Sequence, residues 1–226
     1  MTDALPPLFS ASRTKLKRAR QFIQELHSAA EEYVSSEPAT GYLDPGSNEI
    51  VVNLAAITDW PGAIVGDAVH KMRSALDLMA SELARMNGKS DKNVYFPFAN
   101  SAGELDDAIK SRSFNKAGED AVDLIKQFAP YRGGNTDLRA IHDLDIEDKH
   151  TVLILTTSQL EIAVNASYNI NNVGAGGVRL DIQNFHYVFP NDRPFANEKV
   201  IPTLEKLVAM IEGILESFSN MVVSRC

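Results

Sequence analysis

Between Trp60 and Gly88 the apolar residues Val65, Val69, Met72, Leu76, Met79, Leu83 and Met86 recur at alternating intervals of four and three. That interval is one stripe of an α-helix, and it dictates that the rest of the chain supply a surface to cover it. The opposite side carries His70, Arg73, Asp77 and Ser81, within about a third of a turn of one another at 3.6 residues per turn. Leu78 interrupts this polar side, which predicts that part of the second face is covered too. A helix enclosed on two sides while carrying a His, an Arg and an Asp is the first place to look for a site.

Two more stretches repeat the spacing. Residues 9–35 place Leu16, Ala19, Ile23, Leu26, Ala30 and Tyr33 on one stripe; residues 197–223 do so with Ile201, Leu204, Val208, Ile211, Leu215, Phe218 and Val222. Three long helices with a shared heptad-like stripe favour near-antiparallel bundle packing. Between them, the Pro-Gly turn ahead of a β-branched run predicts a hairpin over about 42–57. Tyr95-Phe96-Pro97-Phe98 should pack on the bundle, and the Ser101-Ala-Gly-Glu104 spacing of a capping box opens a short helix to about Ser111. A helix over about 115–128 turns Val122, Ile125 and Phe128 inward, and another starts at Asp137 with Leu138, Ile141 and Leu144 and ends at Lys149-His150. Val152–Thr156 suits either a helix or a strand. Two alternating runs, Leu160–Val164 and Val178–Ile182 extending to Phe189, flank the Asn171–Gly177 loop and make a second hairpin over about 160–189. The expected fold is mainly α, a helical bundle with small β-hairpin additions (α+β overall), in a single domain of residues 1–226.

Composition bounds the function classes. A net charge of −8 argues against wholesale wrapping of a nucleic-acid backbone, though a local basic patch can still meet phosphate. One cysteine, Cys226, allows no internal disulfide and no multi-Cys zinc site, which suits a reduced, cytoplasmic setting. The first residues lack a basic start followed by an apolar run, and no stretch approaches eighteen consecutive apolar residues, so neither an export signal nor a membrane partner is expected. The Asn165-Ala-Ser167 glycosylation match is taken as chance.

The candidate chemistry concentrates on the central helix. His70, Arg73 and Asp77 on one face suit general acid–base work or phosphate binding, since histidine titrates near neutrality and a guanidinium grips oxyanions in a fork. The competing reading is an internal polar network that fixes helix register. His142 to His150 packs two histidines and four carboxylates into nine residues, but no His-x-x-x-His or His-Glu-x-x-His spacing appears. An acidic stretch closed by Lys149 and His150, which favour a helix C-terminus, explains the run without a metal, and neither metal nor cofactor is expected. Arg20 and His27, two turns apart on the basic face of the first helix, read as ordinary surface charge, or as a pair able to cleave RNA if opposed across a dimer axis. Gly174-Ala-Gly-Gly177 precedes no helix and is no phosphate loop. No Gly-x-Ser-x-Gly nucleophile setting appears.

Residues 66–78, Gly-Asp-Ala-Val-His-Lys-Met-Arg-Ser-Ala-Leu-Asp-Leu, resemble a family of uncharacterised bacterial proteins whose helix reads roughly Gly-Asp-x-x-His-Asn-Leu-Arg-Ser-Ala-Leu-Asp-His. Phe96-Pro97-Phe98, Phe128-Ala-Pro-Tyr131 and Asp148-Lys149-His150 match further pieces in the same order, so the resemblance covers about residues 60 to 155. In those relatives the spacing of Arg, four residues, His is similar to the signature of the HEPN superfamily, helical domains that include dimeric RNases of toxin and defence systems. The resemblance makes Arg73 the phosphate-binding group. It places the proton-transferring His at Leu78, or with longer spacings at Met79 or Ala80, so that group is absent, and only His70 stands nearby to replace it. What it implies is a HEPN-like protein that binds a nucleotide, RNA or a protein partner, with Asp77, His142, Asp148, Lys149 and His150 around the pocket of His70 and Arg73; the heptad-rich long helices favour a homodimer. Two alternatives stand beside it: a metal-independent RNase or phosphoesterase using His70 and Arg73, and a structural or oligomeric protein with no ligand site. Fold analogy alone does not choose among them.

Overall fold

The computed structural model describes residues 8–58, 60–150, 157–167 and 177–225. The elements run α1 (Ser10–Ser35), β1 (Ala39–Leu43), β2 (Ile50–Leu54), α2 (Trp60–Met86), α3 (Leu105–Ser111), α4 (Glu119–Phe128), α5 (Thr136–His150), β3 (Thr157–Ser167), β4 (Gly177–Val188) and α6 (Val200–Ser224). The strands pair as two antiparallel hairpins, β1 with β2 and β3 with β4. The architecture is mainly α, α+β overall.

α2 is the spine. Val65, Val69, Met72, Leu76, Met79 and Leu83 are all fully buried, and only Met86 of the expected stripe reaches solvent. Each such side chain contributes about 1.5–3 kcal/mol of transfer free energy, so this one stripe outweighs any polar contact the helix makes. Ala68, Ala75 and Ala80 are equally buried, so the helix is covered on its second side as well, by α5 and by the segment through Phe96 and Phe98. α2 ends at Asn87-Gly88. Gly88 takes φ 69°, its N–H bonds to the Arg85 carbonyl, and Lys89 N–H reaches back to the Ala84 carbonyl. That left-handed closure is cheap for glycine.

α1 lies along α2 and also against α6. Its basic face is spent on α6 in register: Arg13 meets Glu216 at 2.9 Å, Arg20 meets Glu212 at 2.6 Å, and His27 lies 3.8 Å from Glu205. Positions seven apart on α1 meet positions that descend along α6, the signature of antiparallel helices. α6 is long and apolar enough by length and composition to cross a membrane. Here one side of it, from Leu204 through Leu207, Val208, Ile211 and Leu215 to Phe218, fills the bundle core.

Three local features differ from the sequence expectation. The first hairpin sits a few residues earlier, because Asp44 builds its turn: the carboxylate accepts from Gly46 N–H and the Ser47 hydroxyl, and the Asp44 carbonyl accepts from Asn48 N–H. The Ser101–Glu104 pair makes no capping box; the Ser101 hydroxyl bonds the Glu104 carboxylate at 3.2 Å, and the segment begins with a 3-10 turn over Ala102–Glu104. The helix expected over 115–128 is broken at Gly118, whose φ of 108° separates a 3-10 turn (Phe114–Ala117) from α4. Val152–Thr156 and most of the Asn171–Gly177 loop lie outside the described residues.

Candidate functional site

α5 crosses α2 on the side that carries His70. Its stripe Leu138, Ile141, Asp145, Asp148 keeps helical spacing, so the face that begins apolar ends in two carboxylates pressed against α2. Asp145 is 4% exposed. A carboxylate at that depth needs a partner, and the His70 imidazole supplies one: Nδ1 lies 2.9 Å from Asp145 Oδ1. One turn earlier on α2, Gly66 leaves room for Asp148, whose Oδ1 would sit only 2.1 Å from a Cβ at position 66.

The His70 side chain is 39% exposed while Asp145 stays inside. With Nδ1 committed to the carboxylate, Nε2 is the free nitrogen, and Ser74 Oγ, one turn along, lies 3.5 Å from it. The order carboxylate, imidazole, hydroxyl fixes the ring and its tautomer, as a buried carboxylate does behind many working histidines.

Arg73, three residues on, faces inward. It is 8% exposed and bonds Asp77 four residues ahead. Asp77 also accepts the Phe96 backbone N–H at 2.9 Å, which ties the 96–98 segment to α2. The guanidinium carbon lies 4.7 Å from the centre of the Phe98 ring. His142 stacks on the same ring at 4.7 Å with 10° between planes. Arg139, also buried, donates to the Ala99 carbonyl at 2.7 Å and to Asp143 at 2.8 Å. Burial first, then the nearby guanidinium groups of Arg73 and Arg139, push the His142 pKa down to about 4. Its Nδ1 is buried and makes no hydrogen bond among the described residues. A neutral imidazole wedged on an aromatic ring belongs to the packing of this corner.

The structure therefore divides the expected constellation. His70 joins Asp145 and Ser74 at the surface; Arg73 and Asp77 join Phe98 and His142 within. Asp148 comes to α2 at Gly66, one turn before His70. Lys149 and His150 close α5, but their side chains lie outside the described residues. Arg20 and His27 stand on α1 and are engaged by α6. No group of three or more His, Cys, Asp or Glu side chains is arranged to hold a metal ion among the described residues. Ser74 and Arg139 carry no role in the sequence reading, Phe98 enters it only as a packing residue and a piece of the resemblance, and Asp145 only as one of the four carboxylates between His142 and His150. The signal for Asp145 was present: a carboxylate at a core position of an otherwise apolar stripe must be paired. Comparison of the chain with protein-family models, with curated proteins and with solved structures finds no match.

Proposed function

We propose that this chain is a HEPN-like helical protein that acts by binding, and that a phosphate-bearing ligand, a nucleotide or an RNA end, is met at the His70 edge of α2. One observation carries the reading: an exposed imidazole is held by a buried carboxylate beside a serine hydroxyl, in a fold that keeps Arg73 inside. When protonated, the imidazole presents an Nε2–H donor next to the Ser74 O–H, a pair suited to phosphate oxygens. A HEPN-type RNase needs its arginine free to hold the scissile phosphate, and Arg73 is committed to Asp77 and Phe98. Together with Leu78 in the position of the proton-transferring histidine, this favours binding over cleavage. The same reading sets the protein in the cytoplasm as a homodimer, in a defence or toxin–antitoxin setting. Calorimetric titration with AMP and with a short RNA oligomer tests it. Wild type should bind, His70→Ala should not, and neither should cut the RNA. Binding unchanged in His70→Ala, or no binding of either probe, sinks the proposal.

A second reading rests on the 3.5 Å approach of Ser74 Oγ to His70 Nε2, the connectivity of a hydrolase in which His70 takes the hydroxyl proton as Ser74 attacks. Against it, the backbone N–H groups around Ser74 are mid-helix and spent on carbonyls one turn back, so α2 itself supplies no oxyanion donor. Turnover of p-nitrophenyl acetate that disappears in Ser74→Ala would establish this reading, and turnover equal in the two proteins would discard it.

A further inference from the structure

One cleft combines an apolar floor with a cation and a carboxylate that are neither paired with each other nor engaged by an opposite charge at hydrogen-bond distance among the described residues. It lies where α1, β4 and the first turns of α6 meet, and its volume is about 540 Å3. Ala30, Val34, Phe185 and Ile201 make the floor. At one end the Lys199 ammonium donates to His186 Nε2 at 2.9 Å. At the other, Glu205 has the His27 ring 3.8 Å away, longer than a hydrogen bond. The two charged ends are thus incompletely satisfied. Lys199 donates to the His186 ring and has no carboxylate within ion-pair distance among the described residues; among those residues Glu205 has only the His27 ring at 3.8 Å. Other clefts lack this pairing. In the one between β1 and β4 the cation is engaged, Arg179 on Asp181 at 2.9 Å, and only the Glu37 carboxylate is left over; in the one beside Ile23 the cation Arg20 is engaged by Glu212 at 2.6 Å. The one beside Trp60 has carboxylates and no cation.

We propose that this cleft binds a small zwitterion with an apolar body, of the ω-amino-acid or short-peptide type. The ligand carboxylate meets Lys199 and His186, its ammonium meets Glu205 with Glu31 nearby, and its hydrocarbon lies on Phe185, Ile201 and Val34. Lys199 stands at the N-cap of α6 and Glu205 in its second turn, so their backbones are separated by about 9 Å along the helix axis, a scale that a medium-length ω-amino acid matches. A pocket of this kind, apolar with a few convergent polar groups, is the ordinary form of a small-ligand site. A simple anion would face Glu31 and Glu205 unrelieved, and a simple cation would face Lys199; only a ligand with both charges answers both ends.

The experiment is calorimetric titration of the full chain with 8-aminooctanoate, and with octanoate and octylammonium as carriers of one charge each. The expected result is that 8-aminooctanoate binds about fivefold more tightly than either control, since a contact with an exposed charge is worth at most about that much. Lys199→Gln should reduce its affinity to that of octylammonium, and Glu205→Gln to that of octanoate. Both residues are exposed and outside the core, so the variants should fold, which circular dichroism verifies. Equal affinities for the three probes, unchanged binding in the two variants, or no binding of 8-aminooctanoate up to about 10 mM overturns the proposal. Tighter binding of octanoate alone overturns it too, in favour of a plain anion site.

Discussion

At the scale of single residues, His142 makes the sharpest demand on pH. Its pKa is lowered from 6.5 to about 4 in the folded chain, so between those values the unfolded chain takes up a proton that the folded chain refuses. The unfolded state binds more protons there, so stability rises with pH across the window and is lost as pH falls from about 6.5 toward 4. A shift of this size corresponds to at most about 3 kcal/mol, and because the ring is only partly buried solvent screening leaves less than that. Urea unfolding at about pH 7 and again at about pH 4.5 should therefore show a loss in wild type that is smaller in His142→Phe, which keeps the stack on Phe98 and has nothing to titrate. Equal losses in the two proteins would remove His142 as the cause. At the neighbouring dyad the two polar partners of His70 differ in depth. Asp145→Ala removes a buried charged acceptor and should cost about 1.5–3 kcal/mol in thermal or chemical unfolding. Ser74→Ala removes a half-buried hydroxyl and improves helix propensity, and should stay within about 0.5 kcal/mol of wild type.

Between elements, the α2–α5 crossing turns on Gly66. In an exposed helix, replacing glycine by alanine stabilises by about 1 kcal/mol. Here the added methyl would meet Asp148 Oδ1 at 2.1 Å, which no real contact tolerates, so α5 or its carboxylate must move. Gly66→Ala should then destabilise by about 1–3 kcal/mol, the reverse of its usual sign. The double variant Gly66→Ala with Asp148→Ala should recover most of that loss in a double-mutant cycle; additive losses would show that the two residues do not collide. The α1–α6 ladder asks less. Its members are exposed, so Glu212→Gln should change stability by less than about 1 kcal/mol, and by less still at high salt. These two contacts also show what was legible in the sequence. The three long helices could be read because burying one side of a helix imposes a period on the chain. Which cation meets which carboxylate carries no period. Arg73 and His70 share a face of α2, yet one is buried and one is partly exposed, because Phe98, separate in sequence, stacks over Arg73, whereas α5 meets His70 only through Asp145. Gly118 and Ser101 misled for the opposite reason: local signals for a continuous helix and a capping box yielded to tertiary packing.

In the molecule as a whole, the helices and the hairpins are held with different strength. α2 is enclosed by α1, α5 and α6, and the amides of its middle turns can open only if that core opens. The β3–β4 hairpin joins the bundle through Phe185 and Tyr187, with Tyr33 of α1 4.9 Å from the Phe185 ring, and through Phe189 just beyond it. The β1–β2 hairpin has much less to hold it. The Tyr33 hydroxyl bonds the Ala55 carbonyl at 2.8 Å, Gly41 packs on Leu180 and Val178, and Ile50, Val52 and Leu54 stay 40%, 39% and 51% exposed. A two-stranded hairpin with a bare apolar row is marginal by itself. Native-state hydrogen exchange should therefore separate the two parts. Amides between Met72 and Met79 should exchange only through global unfolding, with a denaturant dependence equal to that of the whole protein, whereas those of β1 and β2 should exchange through local opening that denaturant hardly affects. Exchange of both through one opening event would mean that the first hairpin is locked to the core. The exposed apolar row would then need a partner surface to account for its stability.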